Sequence, residues 1–159
     1  MISAPKVLVI GVGNEYAGDD AVGRIVARRL TALTVGNLRV VEESGEGAAL
    51  IEIWRRADFV IVIDAVSSGG APGTVHRFDT AVQPIPAKFF RYSTHAFSVT
   101  EAIELARVLN QLPNKLVVYG IEGKNFESGV DLSMEVTAAV DEVVGRIREE
   151  LSNAANARY

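Results

Sequence analysis

Short apolar runs along the chain predict β-strands, and segments with a helical repeat of apolar positions separate most of them. The strands are predicted at residues 6–11, 38–42, 59–66, 73–78 and 115–121, and the helices at about 21–33, 48–56, 98–109 and 133–151. Runs that are apolar at almost every position are typical of parallel strands covered on both faces. The alternation therefore predicts a three-layer α/β/α fold with a twisted, mostly parallel five-stranded sheet and helices on both faces.

The fourth strand should differ from the others in direction. Only residues 67–72 connect it to the third strand, and a parallel crossover needs a dozen or more residues. We therefore expect one antiparallel edge strand, in which the side chain of His76 is solvated.

Ser98 and Glu101 have the spacing of a capping box that begins the third helix. The tail from residue 153 onward is expected to be frayed.

Composition narrows the classes of function. The chain has 159 residues, which predicts a single domain over 1–159, with 48% apolar and 23% charged residues, as in soluble globular proteins. It contains no cysteine, which excludes disulfides, thiolate metal sites and a cysteine nucleophile. A net charge of −4 argues against binding to nucleic acid. Since no signal-like start or apolar run of about 20 residues is present, we expect a cytoplasmic protein with no membrane partner.

Three polar residues are candidates for a site at the carboxyl ends of the strands, where ligands bind in open α/β sheets. Asp64 interrupts an apolar strand, and a buried charge there is costly unless it is paired or coordinated. Asp20 follows the first strand, and we expect that one of Asp19 and Asp20 caps the following helix while the other faces the cleft. His95 precedes the third helix. Two carboxylates and one imidazole form an incomplete set of metal ligands, although a structural role is open for each.

The glycine-rich loop after the first strand invites comparison with nucleotide-binding proteins. Gly11 and Gly13 are placed as in a dinucleotide fingerprint, but Tyr16 stands where the third glycine should be. The acidic pair behind it would also repel a pyrophosphate. No Gly-x-Ser-x-Gly or His-Glu-x-x-His motif occurs, which leaves a serine hydrolase or an ordinary zinc protease without support.

Taken in order, the glycine-rich loop with its acidic pair, the strand-end aspartate, the loop histidine and the last strand resemble the hydrogenase maturation endopeptidases, peptidase family M52. The segments that carry the resemblance are 11–23, 63–65, 72–74, 93–95 and 119–133. The resemblance implies a peptidase that removes the C-terminal extension of a [NiFe]-hydrogenase large-subunit precursor after nickel insertion. It implies Asp20, Asp64 and His95 as the nickel-binding and catalytic residues, with the nickel supplied by the substrate hydrogenase. We expect a monomer.

Two departures from the family pattern, and two other functions, stay open at this point. Position 20 is Asp where some relatives have Glu, and the loop at 42–45 differs from that of many relatives. A non-catalytic nickel-sensing hydrogenase chaperone would share the same ligands. A peptidyl-tRNA hydrolase-like esterase would share the Gly-x-Gly-Asn loop, but it would need a histidine in the following loop and a basic face for tRNA. Whether nickel or a carboxylate activates the attacking water is also open.

Overall fold

A computed structural model describes residues 5–32, 38–90 and 97–156 of the chain. The strands are β1 (Val7–Val12), β2 (Leu38–Glu43), β3 (Phe59–Val66), β4 (Val75–Asp79) and β5 (Lys115–Glu122). The helices are α1 (Val22–Thr31), α2 (Gly47–Trp54), α3 (Val99–Val108) and α4 (Met134–Asn156), with 3₁₀ turns at Gly18–Ala21 and Ala87–Phe90. The predicted α/β fold is therefore confirmed, and the capping box at Ser98 and Glu101 begins α3 as expected.

The sheet has the strand order β2-β1-β3-β5-β4. All neighbouring strands are parallel except β4, which runs antiparallel to β5 at one edge. This confirms the edge strand inferred from the short β3–β4 connection. Since β2 and β3 lie on opposite sides of β1, the strand order reverses beside β1. The carboxyl ends of β1 and β3 therefore form the place where this class of fold binds ligands.

The helices cover the two faces of the sheet in pairs. One apolar cluster joins α1 and α4 to side chains of β3 that include Ile61 and Ile63, and the other joins α2 and α3 to Val60 and Val62. Successive side chains of a strand point to opposite faces. Asp64 therefore belongs to the α2/α3 face, where it continues the row of Val60 and Val62.

Two glycines allow α1 to approach the sheet backbone closely. A Cβ atom on Gly23 would lie 2.3 Å from the carbonyl oxygen of Ile63 and 2.4 Å from that of Val12, and a Cβ atom on Gly11 would lie 2.3 Å from the carbonyl oxygen of Gly23. Any larger residue would push the helix away from the strands. This close contact sets the position of the preceding 3₁₀ turn, which carries the acidic pair.

The last helix is longer than the sequence pattern indicates. α4 continues to Asn156, so the prediction of a frayed tail from residue 153 is wrong for residues 153–156. The physical reason is tertiary, because Leu151 and Ala154 pack against the apolar cluster shared by α1 and α4. Across the described residues, no helix combines the length and hydrophobicity needed to cross a membrane.

Candidate functional site

Asp64 is a buried carboxylate near the carboxyl end of β3. Its exposed fraction is 8%, and its Oδ1 accepts a hydrogen bond of 2.8 Å from the N–H of Ala65. Burial raises the pKa of Asp64 well above its ordinary value, the nearby Asp20 carboxylate raises it further, and the Ala65 hydrogen bond opposes both effects. Two carboxylates held this way repel each other unless a cation or a proton stabilises them. The structure thus places Asp20 and Asp64 close enough for their charges to interact.

Asp20 is held over this edge by the glycine-rich loop. Its Oδ2 accepts a hydrogen bond of 2.9 Å from the N–H of Asn14. The loop can adopt this path because Gly13 has a φ of 149°, and a Cβ atom there would lie 1.9 Å from the carbonyl oxygen of Asp20. The glycine-rich loop therefore places an acidic side chain at the carboxyl edge of the sheet.

Asp19, the other member of the acidic pair, binds backbone groups near the start of α4. Asp19 is completely buried, and its carboxylate accepts hydrogen bonds from the N–H groups of Lys124 (2.7 Å), Asn125 (3.0 Å) and Ser133 (2.7 Å), and from the Ser133 hydroxyl (2.9 Å). Burial raises the pKa of Asp19, but these bonds outweigh it and hold the pKa below its ordinary value. The expectation that one of the pair caps α1 is wrong, since the N-terminus of α1 has no side-chain capping bond. Asp19 instead fixes the start of α4.

His95, the third predicted ligand, lies outside the described residues. The described chain on either side of 91–96 is attached at the carboxyl edge of the sheet. Before the gap, the carbonyl oxygen of Phe89 accepts a hydrogen bond of 3.3 Å from the N–H of Ser67, just after β3. After the gap, the carbonyl oxygen of Phe97 accepts one of 2.8 Å from the N–H of Gly47, which follows β2.

Sequence reasoning missed a second buried carboxylate at this edge. Glu122 ends β5 and is 1% exposed, and it accepts hydrogen bonds from the N–H of Ser68 (3.1 Å) and from the Ser68 hydroxyl. Its Oε1 also lies 3.1 Å from Nε2 of His76. The prediction that His76 is solvated is therefore wrong, because its ring pairs with Glu122 and packs on Phe89 at a centroid distance of 4.7 Å. The sequence signal was available, since Glu122 is a carboxylate near the carboxyl end of an apolar strand, as Asp64 is.

The described residues do not complete a metal site of their own. Within 5–32, 38–90 and 97–156, no group of three or more histidine or acidic side chains is arranged to hold a metal ion. This part of the chain contributes two carboxylates, Asp20 and Asp64, to one place. Carboxylate oxygens bind hard and intermediate divalent cations, and a pair of them leaves most coordination positions to other groups.

Comparison with known proteins identifies the family to which the chain is similar. The family model of HycI, the hydrogenase maturation protease, matches residues 24–150. The chain is 28% identical over 152 residues to the hydrogenase 2 maturation protease of Escherichia coli, covering 91% of this chain and 92% of that protein. It is 30% identical over 124 residues to the hydrogenase expression/formation protein HupD of Thiocapsa roseopersicina, covering 77% of this chain but only 56% of that protein.

Solved structures show the same fold. The hydrogenase maturating endopeptidase HybD from E. coli superimposes with a TM-score of 0.78 at 24% identity, covering 94% of this chain and 93% of that one. The [NiFe] hydrogenase maturation protease HycI from Thermococcus kodakarensis gives 0.71 at 21% identity, covering 96% and 94%. Because the family model spans β2 to α4 and so includes the strand that carries Asp64, the chain belongs to the hydrogenase maturation protease family.

Proposed function

We propose that this protein is an endopeptidase that removes the C-terminal extension from the large-subunit precursor of a [NiFe] hydrogenase, and that it recognises nickel already bound to that precursor. The observation that carries the proposal is the placement of Asp20 and Asp64 at the carboxyl edge of the sheet, where the strand order reverses. Membership in the protease family supports the reaction class. The dependence on nickel and the cleavage at the C-terminus go beyond that reaction class and are part of the proposal.

The charge of the pair supports a cation as the recognised group. A buried carboxylate beside a second one is unfavourable alone, and a divalent cation between them offsets both the burial and the repulsion. His95 would add an imidazole, which suits nickel. The chain has no cysteine and so offers no thiolate to retain a metal of its own. We therefore infer that nickel arrives as part of the substrate, with ligands from the precursor completing its coordination.

Each carboxylate is oriented by a backbone N–H group. Asp64 is fixed by the N–H of Ala65 and Asp20 by the N–H of Asn14, so neither side chain must be ordered when the precursor binds. Hydrolysis adds the oxygen of water to the scissile carbonyl carbon and a proton to the leaving amine. Whether nickel or a carboxylate activates that water, both routes need these two side chains at one edge.

The decisive experiment compares nickel-loaded and nickel-free precursor subunits. Each is incubated with the purified protein, and the mass of the large subunit is measured by intact mass spectrometry over time. We expect loss of a C-terminal peptide from the nickel-loaded precursor alone. Trimming of both forms would overturn the proposed dependence of cleavage on bound nickel. Stable binding of nickel-loaded precursor without any trimming would instead show a chaperone that senses nickel and does not cut.

A further inference from the structure

We propose that Glu122 is a positioning residue for this reaction, because it fixes the β3–β4 loop (residues 67–74) that borders Asp64. The inference rests on the proposed function. It assigns a role to a carboxylate that is not one of the proposed nickel-binding residues Asp20, Asp64 and His95. It concerns a part of the site that the family relationship leaves unassigned, namely the wall formed by the chain as it leaves β3.

The Glu122 side chain joins separate elements through its carboxylate. It accepts hydrogen bonds from the backbone and the hydroxyl of Ser68 in the β3–β4 loop, and it contacts Nε2 of His76 in β4. With 1% of its surface exposed, these contacts replace the water that a carboxylate would otherwise bind. Removing the carboxylate therefore leaves the Ser68 groups and the imidazole without this acceptor.

The backbone of Glu122 closes the same loop from its far end. The carbonyl oxygen of Glu122 accepts a hydrogen bond of 2.8 Å from the N–H of Gly73, and its N–H donates one of 2.9 Å to Thr74. The loop also passes close over the carboxylate, since a Cβ atom on Gly70 would lie 3.2 Å from Glu122 Oε1. One residue thus binds the start and the end of the β3–β4 loop and lies close to its middle.

The strand register connects this loop to Asp64. Glu122 pairs with Val66 in β3, and Asp64 pairs with Gly120, so Glu122 and Asp64 lie two positions apart on the same face of neighbouring strands. The N–H of Gly123 donates a hydrogen bond of 3.0 Å to Val66. A shift of the loop would therefore act on the strand end that carries Asp64 and on the amide of Ala65 that orients it.

The loop also carries the attachment that precedes residues 91–96. The N–H of Ser67 donates to the carbonyl oxygen of Phe89, and the ring of His76 packs against the Phe89 ring. Glu122 thus holds two of the groups that contact Phe89, namely Ser67 through the neighbouring Ser68 and His76 directly. A change at Glu122 is expected to reach both sides of the site while leaving its carboxylate ligands chemically intact.

The test is the kinetics of precursor processing by Glu122→Ala and Glu122→Gln. We expect Glu122→Ala to lower kcat by about 10- to 100-fold with little change in KM, since misplacement of a reacting group costs this much. Glu122→Gln should keep most of the activity, because its amide oxygen can still accept from the N–H of Ser68 while its NH2 group, in the place of Oε1, can donate to the Ser68 hydroxyl oxygen and to an unprotonated Nε2 of His76. This rescue distinguishes positioning from a requirement for negative charge.

The matched control is Thr80→Val. It removes a buried hydrogen bond between the chain just after β4 and the start of β5, at the end of this strand pair that is remote from Glu122. Thr80 is 4% exposed, and its hydroxyl donates to the carbonyl oxygen of Leu116 at 2.9 Å. Assays are run well below the melting temperature of every variant. The proposal is overturned if Thr80→Val slows processing as much as Glu122→Ala does at an equal loss of melting temperature, or if Glu122→Ala processes at the normal rate.

Two further variants keep the outcomes separable. If Glu122→Ala does not fold, Ser68→Ala removes only the hydroxyl contact, and we expect it to lower kcat by a few fold; an unchanged kcat would then overturn the proposal. Processing of the nickel-loaded precursor by the wild type is the test of the proposed function itself, and its absence would reject that function. A normal rate in Asp64→Asn would reject the role assigned to Asp64, whereas an inactive Asp64→Asn beside a fully active Glu122→Ala would reject only the positioning role of Glu122.

Discussion

The carboxylate of Asp19 accepts a hydrogen bond of 2.7 Å from the N–H of Ser133, which lies 114 residues further along the chain. Asp19 precedes α1 and Ser133 precedes α4, so this bond joins the first turns of the two helices that cover one face of the sheet. The adjacent Asp20 lies beside Asp64 instead. The acidic pair is therefore divided between a carboxylate that joins two helices and one that lies beside Asp64.

Replacement of these two neighbours should separate stability from activity. Asp19→Ala leaves the partly buried N–H donors of Lys124, Asn125 and Ser133 without this acceptor, and we expect it to lower the free energy of unfolding by about 3 kcal/mol. Asp20→Ala loses the contact with the amide of Asn14 but also the repulsion by Asp64, so it should destabilise the fold less than Asp19→Ala does, while abolishing processing. Urea denaturation measures the first quantity and precursor cleavage the second. Equal destabilisation by both variants would contradict this division.

Asp64→Asn is expected to abolish processing without loss of stability. The amide has the same shape as the carboxylate, and it removes a buried charge together with its repulsion by Asp20, so the melting temperature should stay constant or rise. His95→Ala should also abolish processing. Asp58→Asn is the matched control, because Asp58 is an exposed carboxylate at the opposite end of β3 that binds the N–H of Lys6. A collapse of the melting temperature in Asp64→Asn would assign Asp64 a structural role.

Two glycine substitutions should change stability in opposite directions. Gly23→Ala places a methyl group 2.3 Å from the carbonyl oxygen of Ile63, and we expect a loss of about 3 kcal/mol or more as α1 moves off the sheet. Gly145→Ala adds a methyl group in α4 where nothing lies within 4 Å, and a gain of about 0.5–1 kcal/mol follows from its better helix propensity. Thermal and urea unfolding of both variants test this; a stabilised Gly23→Ala would contradict the close packing.

Acid should weaken the fold through Glu150 in α4. Burial raises the pKa of Glu150, but hydrogen bonds from Arg77 and Tyr119 outweigh it and hold the pKa below its ordinary value of 4.5. Such a carboxylate stabilises the folded state fully above about pH 4.5, and this contribution is lost as the pH falls through the lowered pKa. The difference in unfolding free energy between the wild type and Glu150→Gln should therefore be constant near neutral pH and shrink below about pH 4.

The control for this titration is Glu149→Gln, which changes an exposed neighbour on the same helix. We expect little difference in unfolding free energy from the wild type at any pH in the series. Guanidinium or urea unfolding at intervals from pH 7 to pH 3 gives both curves. A Glu150→Gln deficit that persists undiminished at pH 3 would show that the contact with Arg77 and Tyr119 does not depend on the charge of Glu150.

The sequence by itself determined the elements and the direction of the strands. Apolar runs and capping motifs are local properties, and they placed β3 at 59–66 and the start of α3 at the Ser98 capping box. The antiparallel direction of β4 followed from the six residues of the β3–β4 connection at 67–72, because chain length alone forbids a parallel crossover there. Asp64 stood out for a similarly simple reason, since a charge inside an apolar run has a large cost of burial.

The tertiary structure decided which polar residues meet. Whether Asp19 or Asp20 faces Asp64 depends on Lys124, Asn125 and Ser133, which are more than 100 residues away. The pairing of His76 with Glu122 spans 46 residues and depends on the order of β4 and β5. No local pattern encodes these contacts, because they arise only when the strand order and the close packing of α1 bring distant side chains to the carboxyl edge of the sheet.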